Sequence, residues 1–270
     1  METELLLLWI AICLYVAAGS LAIIGTVLRR QFERAVPALL VGGLVVHGVA
    51  IGLRWERLGH GPYLTMFEIL SSNVWSLLLI YVLVYLRYRP IRPTASVVLP
   101  VMFIMMGWMM LSTPKGAEVP QSFDTVWLWI HIGFGKVFFG SVLVALGMAG
   151  VILLRSAGIG LRRFAAMPDN HRLDDLAYRF MALGFIFESL MLVAGAIWAQ
   201  DAWGRYWGWD PVETWSFLTW LVMGFALHTR VTLRPAPVRG AVLVVLVFVF
   251  GFLTFFGVPF ITEVPHQGTF

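Results

Sequence analysis

The sequence predicts an all-α integral membrane protein of about eight transmembrane helices with a Trp-rich loop on its outer side. Three observations carry that prediction. Of the 270 residues, 60% are hydrophobic and only 13% charged, with a mean hydropathy of +0.84, a balance foreign to a globular domain with a single core. Apolar runs of about 20 residues, the length that crosses the hydrocarbon core, recur near 5–28, 36–54, 66–86, 95–112, 126–154, 180–200, 213–232 and 238–260. Finally, the basic residues fall on alternate loops.

The first run begins almost at Met1 without a basic segment or a small-residue cleavage pattern, so it reads as a retained helix. The second carries Gly42, Gly43 and Gly48 around His47, the pattern of a close helix-packing face with one hydrogen-bonded imidazole. The fifth is long enough to include an interfacial turn. Asp210-Pro211 opens the seventh as N-cap carboxylate and first-turn proline. No soluble domain or repeat interrupts the series, so residues 1–270 read as a single polytopic membrane domain.

Arg29, Arg30 and Arg34 follow the first run, and Arg87, Arg89 and Arg92 the third. Arg155, Arg162, Arg163, Arg172 and Arg179 follow the fifth, and Arg230, Arg234 and Arg239 the seventh. The opposite loops hold only Arg54, Arg57, Lys115 and Arg205, and Lys136 lies within a run. Basic residues are retained on the cytoplasmic side, so both termini and the Trp-rich loop are expected outside the cytoplasmic membrane. The same placement accounts for the net charge of +4 without a nucleic-acid partner. The one cysteine, Cys13, excludes an internal disulfide framework and a CxxC redox pair, and the absence of CxxCH means the chain is not itself a c-type cytochrome.

The densest chemistry lies in the loop at 201–215, where Trp203, Trp207, Trp209 and Trp215 crowd together with Tyr206. Gly204, Gly208 and Pro211 stop helix formation there, giving an ordered loop or interfacial half-helix. Trp often forms a scattered belt at the membrane interface. Here five Trp between 203 and 220 interleave with Arg205, Asp210 and Glu213, which points instead to an apolar platform for a large flat aromatic ligand. His131 near the outer end of the fifth run and His266 beyond the eighth fall at the same membrane level. Two neutral imidazoles beside aromatic faces are what haem iron and its porphyrin require. Arg205 is placed to bind the propionates bidentately.

Other polar residues have competing readings. His228, near the end of the seventh run, is either a functional group at membrane depth or a cap on helix carbonyls. Lys136 snorkels outward, meets a propionate or pairs with Glu188. His171, among charged loop residues, reads as solvated.

The stretch Trp203-Gly204-x-x-Trp207-x-Trp209-Asp210-Pro211-x-Glu213-Thr214-Trp215 resembles the "WWD" signature of the haem-handling proteins of cytochrome c biogenesis. Its Asp-Pro-x-Glu-Thr-Trp ending is similar to the CcsA (ResC) branch of the System II cytochrome c synthase more than to CcmC or CcmF. Gly59-His60-Gly61-Pro62 through Glu68 and Leu70 resembles a second family segment, with Leu64, Thr65 and Phe67 replacing its Ser, Asn and Tyr. The spacing of His131, the loop, His228 and His266 also matches, as does Phe256-Gly257-Val258-Pro259.

That resemblance implies that His131 and His266 are axial ligands of haem b, the transported substrate, presented on a surface formed by Trp203, Trp207, Trp209 and Asp210. It implies that His228 ligates a second haem position within the membrane, whose other ligand comes from a CcsB/ResB-like membrane subunit or from His47. The implied activity is the haem-handling share of a holocytochrome c synthase (haem lyase) that attaches haem to CxxCH apocytochrome c. Two alternatives share the scaffold: a CcmC-like haem chaperone or exporter without ligation activity, and a HemX-like membrane regulator of haem synthesis.

Overall fold

The computed structural model describes residues 2–28, 30 and 32–261, with residues 122, 260 and 261 described by backbone alone. Long helices form at each expected run: α1 (Glu2–Leu28), α2 (Ala35–Leu58), α3 (Met66–Arg87), α4 (Ala95–Leu111), α5 (Val126–Ser156), α6 (Asn170–Trp203), α7 (Pro211–Leu233) and α8 (Pro237–Phe252). A π turn, Leu253–Gly257, carries α8 into a last helical turn, Val258–Ile261. Among the described residues there is no strand.

Among the described residues, seven helical segments are long and apolar enough to cross a membrane. The 23-residue α7 is not one of them, because Trp, Thr and Ser take the place of aliphatic residues along it. Two boundaries differ from the hydropathy reading. α6 starts at Asn170, well before 180: its first turns are too polar to register as a membrane run, yet Asp169 caps them by accepting the Arg172 amide. α5 is one unbroken 31-residue helix with no interfacial turn.

The chain divides into two compact units, Met1–Val119 with Leu154–Pro168 and Pro120–Leu153 with Asp169–Phe270. In unit 1, small residues let helices approach closely: Gly43 faces the Tyr15 ring and Gly19 the Phe103 ring, with no room for a Cβ at either. His47 is fully buried, with Nε2 3.0 Å from Ser71 Oγ and Nδ1 3.5 Å from the Tyr15 hydroxyl. This satisfied core imidazole is not presented to a ligand, which removes it as the stand-in for a second haem ligand.

At the Glu4 end of unit 1, charge is buried but matched. Arg54 donates to Glu68 (2.8 and 3.1 Å), Glu4 (3.3 Å) and the carbonyls of Pro114 and Lys115 (3.0 and 3.2 Å), while Arg57 donates to Glu4 at 2.6 Å. Glu68 also completes a capping box with Thr65 at the start of α3. One cluster thus ties together α1, α2, α3 and the segment after α4.

Unit 2 is aromatic. Phe138 and Phe139 of α5 pack against Phe255, and Phe139 also against Phe248 and Phe256. Thr254, in the π turn, lies 2.8 Å from Thr219 Oγ1 and reaches the carbonyls of Trp215 (3.2 Å) and Phe250 (2.9 Å), fastening this turn to α7. Arg230 of α7 pairs with Asp174 and Asp175 of α6 at 2.9 and 2.6 Å. These ties fix the two helices that flank the Trp-rich loop.

Candidate functional site

The loop is short because both flanking helices are capped at it. α6 ends at Trp203, where Gly204 adopts the left-handed conformation (φ 71°) and donates its amide to the Gln200 carbonyl. α7 begins with a capping box: Asp210 accepts the Glu213 amide at 2.8 Å, and Glu213 returns a carboxylate oxygen to the amides of Gly208 (2.7 Å) and Asp210 (3.3 Å). The expected N-cap role of Asp210 is therefore met, and Glu213 extends it by holding the loop backbone from behind.

That frame forces Trp209 into the left-handed region at φ 57°, a conformation that costs a bulky residue about 1–3 kcal/mol. Its side chain faces outward: Trp209 is 67% exposed. Trp207 meets Trp209 edge-on at 5.7 Å, and both meet Phe217 of α7 edge-on. Phe217 stacks on Trp220, which stacks on Phe185 of α6 and donates Nε1 to Ser189 at 2.9 Å. An aromatic ladder thus runs from the loop down the α6–α7 face.

Two donors on the loop are left open. Among the described residues, neither Trp207 Nε1 nor Arg205 Nη2 has an acceptor, although both atoms are buried. The Arg205 guanidinium lies over Gly208, where even a Cβ would collide with it. Buried donors are normally paired, so an acceptor brought by a ligand is the physical expectation here.

His131 sits on the second turn of α5, half-buried, with its ring 6.0 Å from Trp198, which in turn contacts Trp203 at 5.0 Å. Its Nδ1 lies 2.9 Å from the Met191 carbonyl oxygen. A carbonyl can only accept, so Nδ1 carries the proton and the lone pair of the neutral ring is on Nε2. This is the arrangement that orients metal-binding imidazoles, in which one nitrogen donates to the protein and the other ligates. Gly195 makes the pose possible: a Cβ there would lie 2.7 Å from His131 Nδ1.

The structure therefore brings His131 and Trp203 into one aromatic cluster through Trp198, and Trp207 and Trp209 into a second through Phe217. His228 belongs to neither: it is exposed on the last turns of α7, with Nε2 3.4 Å from Thr232 Oγ1. His266 lies outside the described residues. Glu188 is fully buried and neither oxygen accepts a hydrogen bond among the described residues, so pairing with Lys136 is not its role. Sequence reasoning missed Met191, Gly195, Trp198 and Phe217. The Ala194-Gly195-Ala196 run was a visible sign of close approach, but not of what approaches.

Residues 63–266 match the family model described as cytochrome C assembly protein. The chain is 31% identical over 228 residues to the cytochrome c biogenesis protein CcsA of Synechococcus sp. (strain CC9902), covering 72% of this chain and 75% of that protein. It is 30% identical over 244 residues to CcsA of Guillardia theta (81% and 80%) and 28% over 242 residues to CcsA of Chlamydomonas reinhardtii (86% and 68%). The matched region contains the capped Trp-rich loop, His131 and His228, and the chain belongs to the cytochrome c assembly family as a multi-pass, CcsA-type cytochrome c biogenesis protein.

Proposed function

We propose that this chain is the haem-presenting subunit of a cytochrome c synthase. It carries haem b as its substrate to the outer face of the cytoplasmic membrane and holds it for attachment to a CxxCH apocytochrome c. The observation that carries this reading is the Nδ1–H bond from His131 to the Met191 carbonyl, which fixes the ring orientation and puts the lone pair of the neutral imidazole on Nε2, the nitrogen that ligates in such arrangements. His266 is the second axial ligand in this scheme. The open donors of Arg205 and Trp207 match the carboxylate oxygens of propionates, and Trp203, Trp207 and Trp209 give the porphyrin its apolar faces.

Attachment adds each cysteine S–H across a haem vinyl group: a C–S bond forms, the thiol proton passes to the neighbouring carbon, and nothing is lost. The share of this chain is position. A framed aromatic shelf excludes water and makes the meeting of vinyl and thiol effectively intramolecular. The exposed His228 suits a second, intramembrane ligand position completed by a CcsB/ResB-like subunit, since its ring faces outward from α7. The charge bias, with the loop and both termini outside, supports the same direction of transfer.

The test is co-expression of the chain with a CcsB-like subunit and a CxxCH apocytochrome, reading covalent haem on the cytochrome by in-gel peroxidase staining and mass. Covalent haem that requires this chain and disappears in His131→Ala is the expected result. Haem co-purifying with the chain but never attached would replace the synthase reading with an exporter. No haem on either protein would point to a regulator.

A further inference from the structure

A different part of the molecule carries four unneutralised arginines around one opening. A cavity of about 340 Å³ lies within unit 1, at the end opposite the Glu4 cluster, between the ends of α1, α2 and α3, the segment leading into α4, and the loop after α5. Arg30, Arg92, Arg162 and Arg163 line it, with Glu33 as the single acidic residue of the lining. None of the four arginines forms an ion pair among the described residues.

The cavity is built from both sides. The Arg30 guanidinium sits 5.8 Å over the Phe32 ring; that of Arg92 sits 5.2 Å over Tyr85, with Nε donating to the Tyr85 carbonyl at 3.2 Å. Stacking places these charges in advance and keeps their outer N–H groups for an anion. Arg162 and Arg163 ride on a folded loop. Arg155 donates to the carbonyls of Phe164, Met167 and Pro168 at 2.5, 3.3 and 2.7 Å, and Phe164 and Met167 are buried. Gly160 closes the turn against the Phe164 ring, with no room for a Cβ. Leu21, Ala22 and Val36 add apolar surface to the lining.

We propose that this cavity binds an anionic phospholipid, taking its phosphate among Arg30, Arg92, Arg162 and Arg163 and its upper acyl chain along Leu21 and Val36. Three features favour a lipid over a free anion. The charges lie at the ends of the apolar helices α1, α2 and α3, which is headgroup depth; the lining combines basic and apolar residues; and basic pockets between membrane helices on the Arg-rich side are where acidic lipid headgroups bind. The site is independent of the Trp-rich loop, and its occupant anchors the fold of unit 1 without taking part in haem attachment.

The full chain, purified in detergent, is titrated with dioleoyl phosphatidylglycerol or phosphatidylcholine and followed by native mass spectrometry and thermal melting. Wild type is expected to retain and be stabilised by phosphatidylglycerol only. Arg162→Gln/Arg163→Gln, at exposed positions, is expected to bind it roughly thirty-fold more weakly, and Arg162→Lys/Arg163→Lys to recover most of that loss. Arg172→Gln/Arg239→Gln, which removes the same charge from unit 2, should change nothing. Equal retention of both lipids, or equal loss in the unit 2 control, overturns the proposal. Stabilisation by inorganic phosphate alone to the same degree reduces the site to a free-anion site. Haem binding that is lost in the double Gln variant, with no lipid preference, reassigns it to propionates.

Discussion

The Arg54 cluster of unit 1 and the Trp-rich loop of unit 2 are both polar knots at helix ends, and both contain a capping box built on a buried glutamate. They differ in closure. Around Arg54 each charge meets an opposite charge, and two leftover guanidinium hydrogens find the Pro114 and Lys115 carbonyls. In the loop the capping box closes its own amides, yet among the described residues Arg205 Nη2 and Trp207 Nε1 remain open, and Trp209 is held in a strained conformation. A saturated knot serves stability; an unsaturated one, held rigid by the same device, keeps donors for acceptors brought from outside it, the property on which the proposed haem site rests. His60 is the exception in unit 1, since among the described residues its buried Nε2 has no partner although its Nδ1 bonds the Gly61 carbonyl.

Breaking the closed knot has the largest expected effect. Arg54→Ala strands Glu68 and Glu4 in a buried setting and should lower stability by about 3–5 kcal/mol, read as a depressed melting temperature in detergent. Loss of haem with no loss of stability would contradict the division of labour. Gly195→Ala should push the His131 ring from the Met191 carbonyl, with an overpacking penalty of about 1–3 kcal/mol, and should weaken haem binding more than it lowers the melting temperature. Equal haem affinity in this variant would mean that the imidazole pose is not needed.

Trp207→Phe sharpens the comparison because it removes an open donor. The apo chain should be no less stable, while haem binding falls by about 1.5–3 kcal/mol if Nε1 serves a propionate, measured by haem titration. A destabilised variant with unchanged affinity would return Trp207 to packing. Smallest is Glu213→Gln, which keeps the shape of the box but weakens its charge-assisted bonds to the Gly208 and Asp210 amides; about 1 kcal/mol of stability should go. Faster amide exchange confined to residues 208–213 would confirm the location.

The helices were legible because hydrocarbon length and apolar runs are set by composition alone, and the Asp210 cap was legible because Asp-Pro before a helix carries its own geometry. The start of α6 was not, since a capped polar turn continues a helix without adding hydropathy. The site was half visible. Indoles and imidazoles announce an aromatic platform, but the Met191 carbonyl that orients His131 is a backbone atom with no signature of its own. His228 read equally as a functional group at membrane depth or as a cap on helix carbonyls, and only packing shows it exposed on α7.

The most direct test of the central claim is the reduced-minus-oxidised visible spectrum of the purified chain loaded with haem, recorded for wild type and for His131→Ala with and without added imidazole. The account predicts a sharp low-spin spectrum in wild type that collapses in His131→Ala and is restored by imidazole filling the vacated ligand position. An unchanged low-spin spectrum in His131→Ala would show that the iron is held elsewhere, and the open knot at the Trp-rich loop would no longer be a haem site.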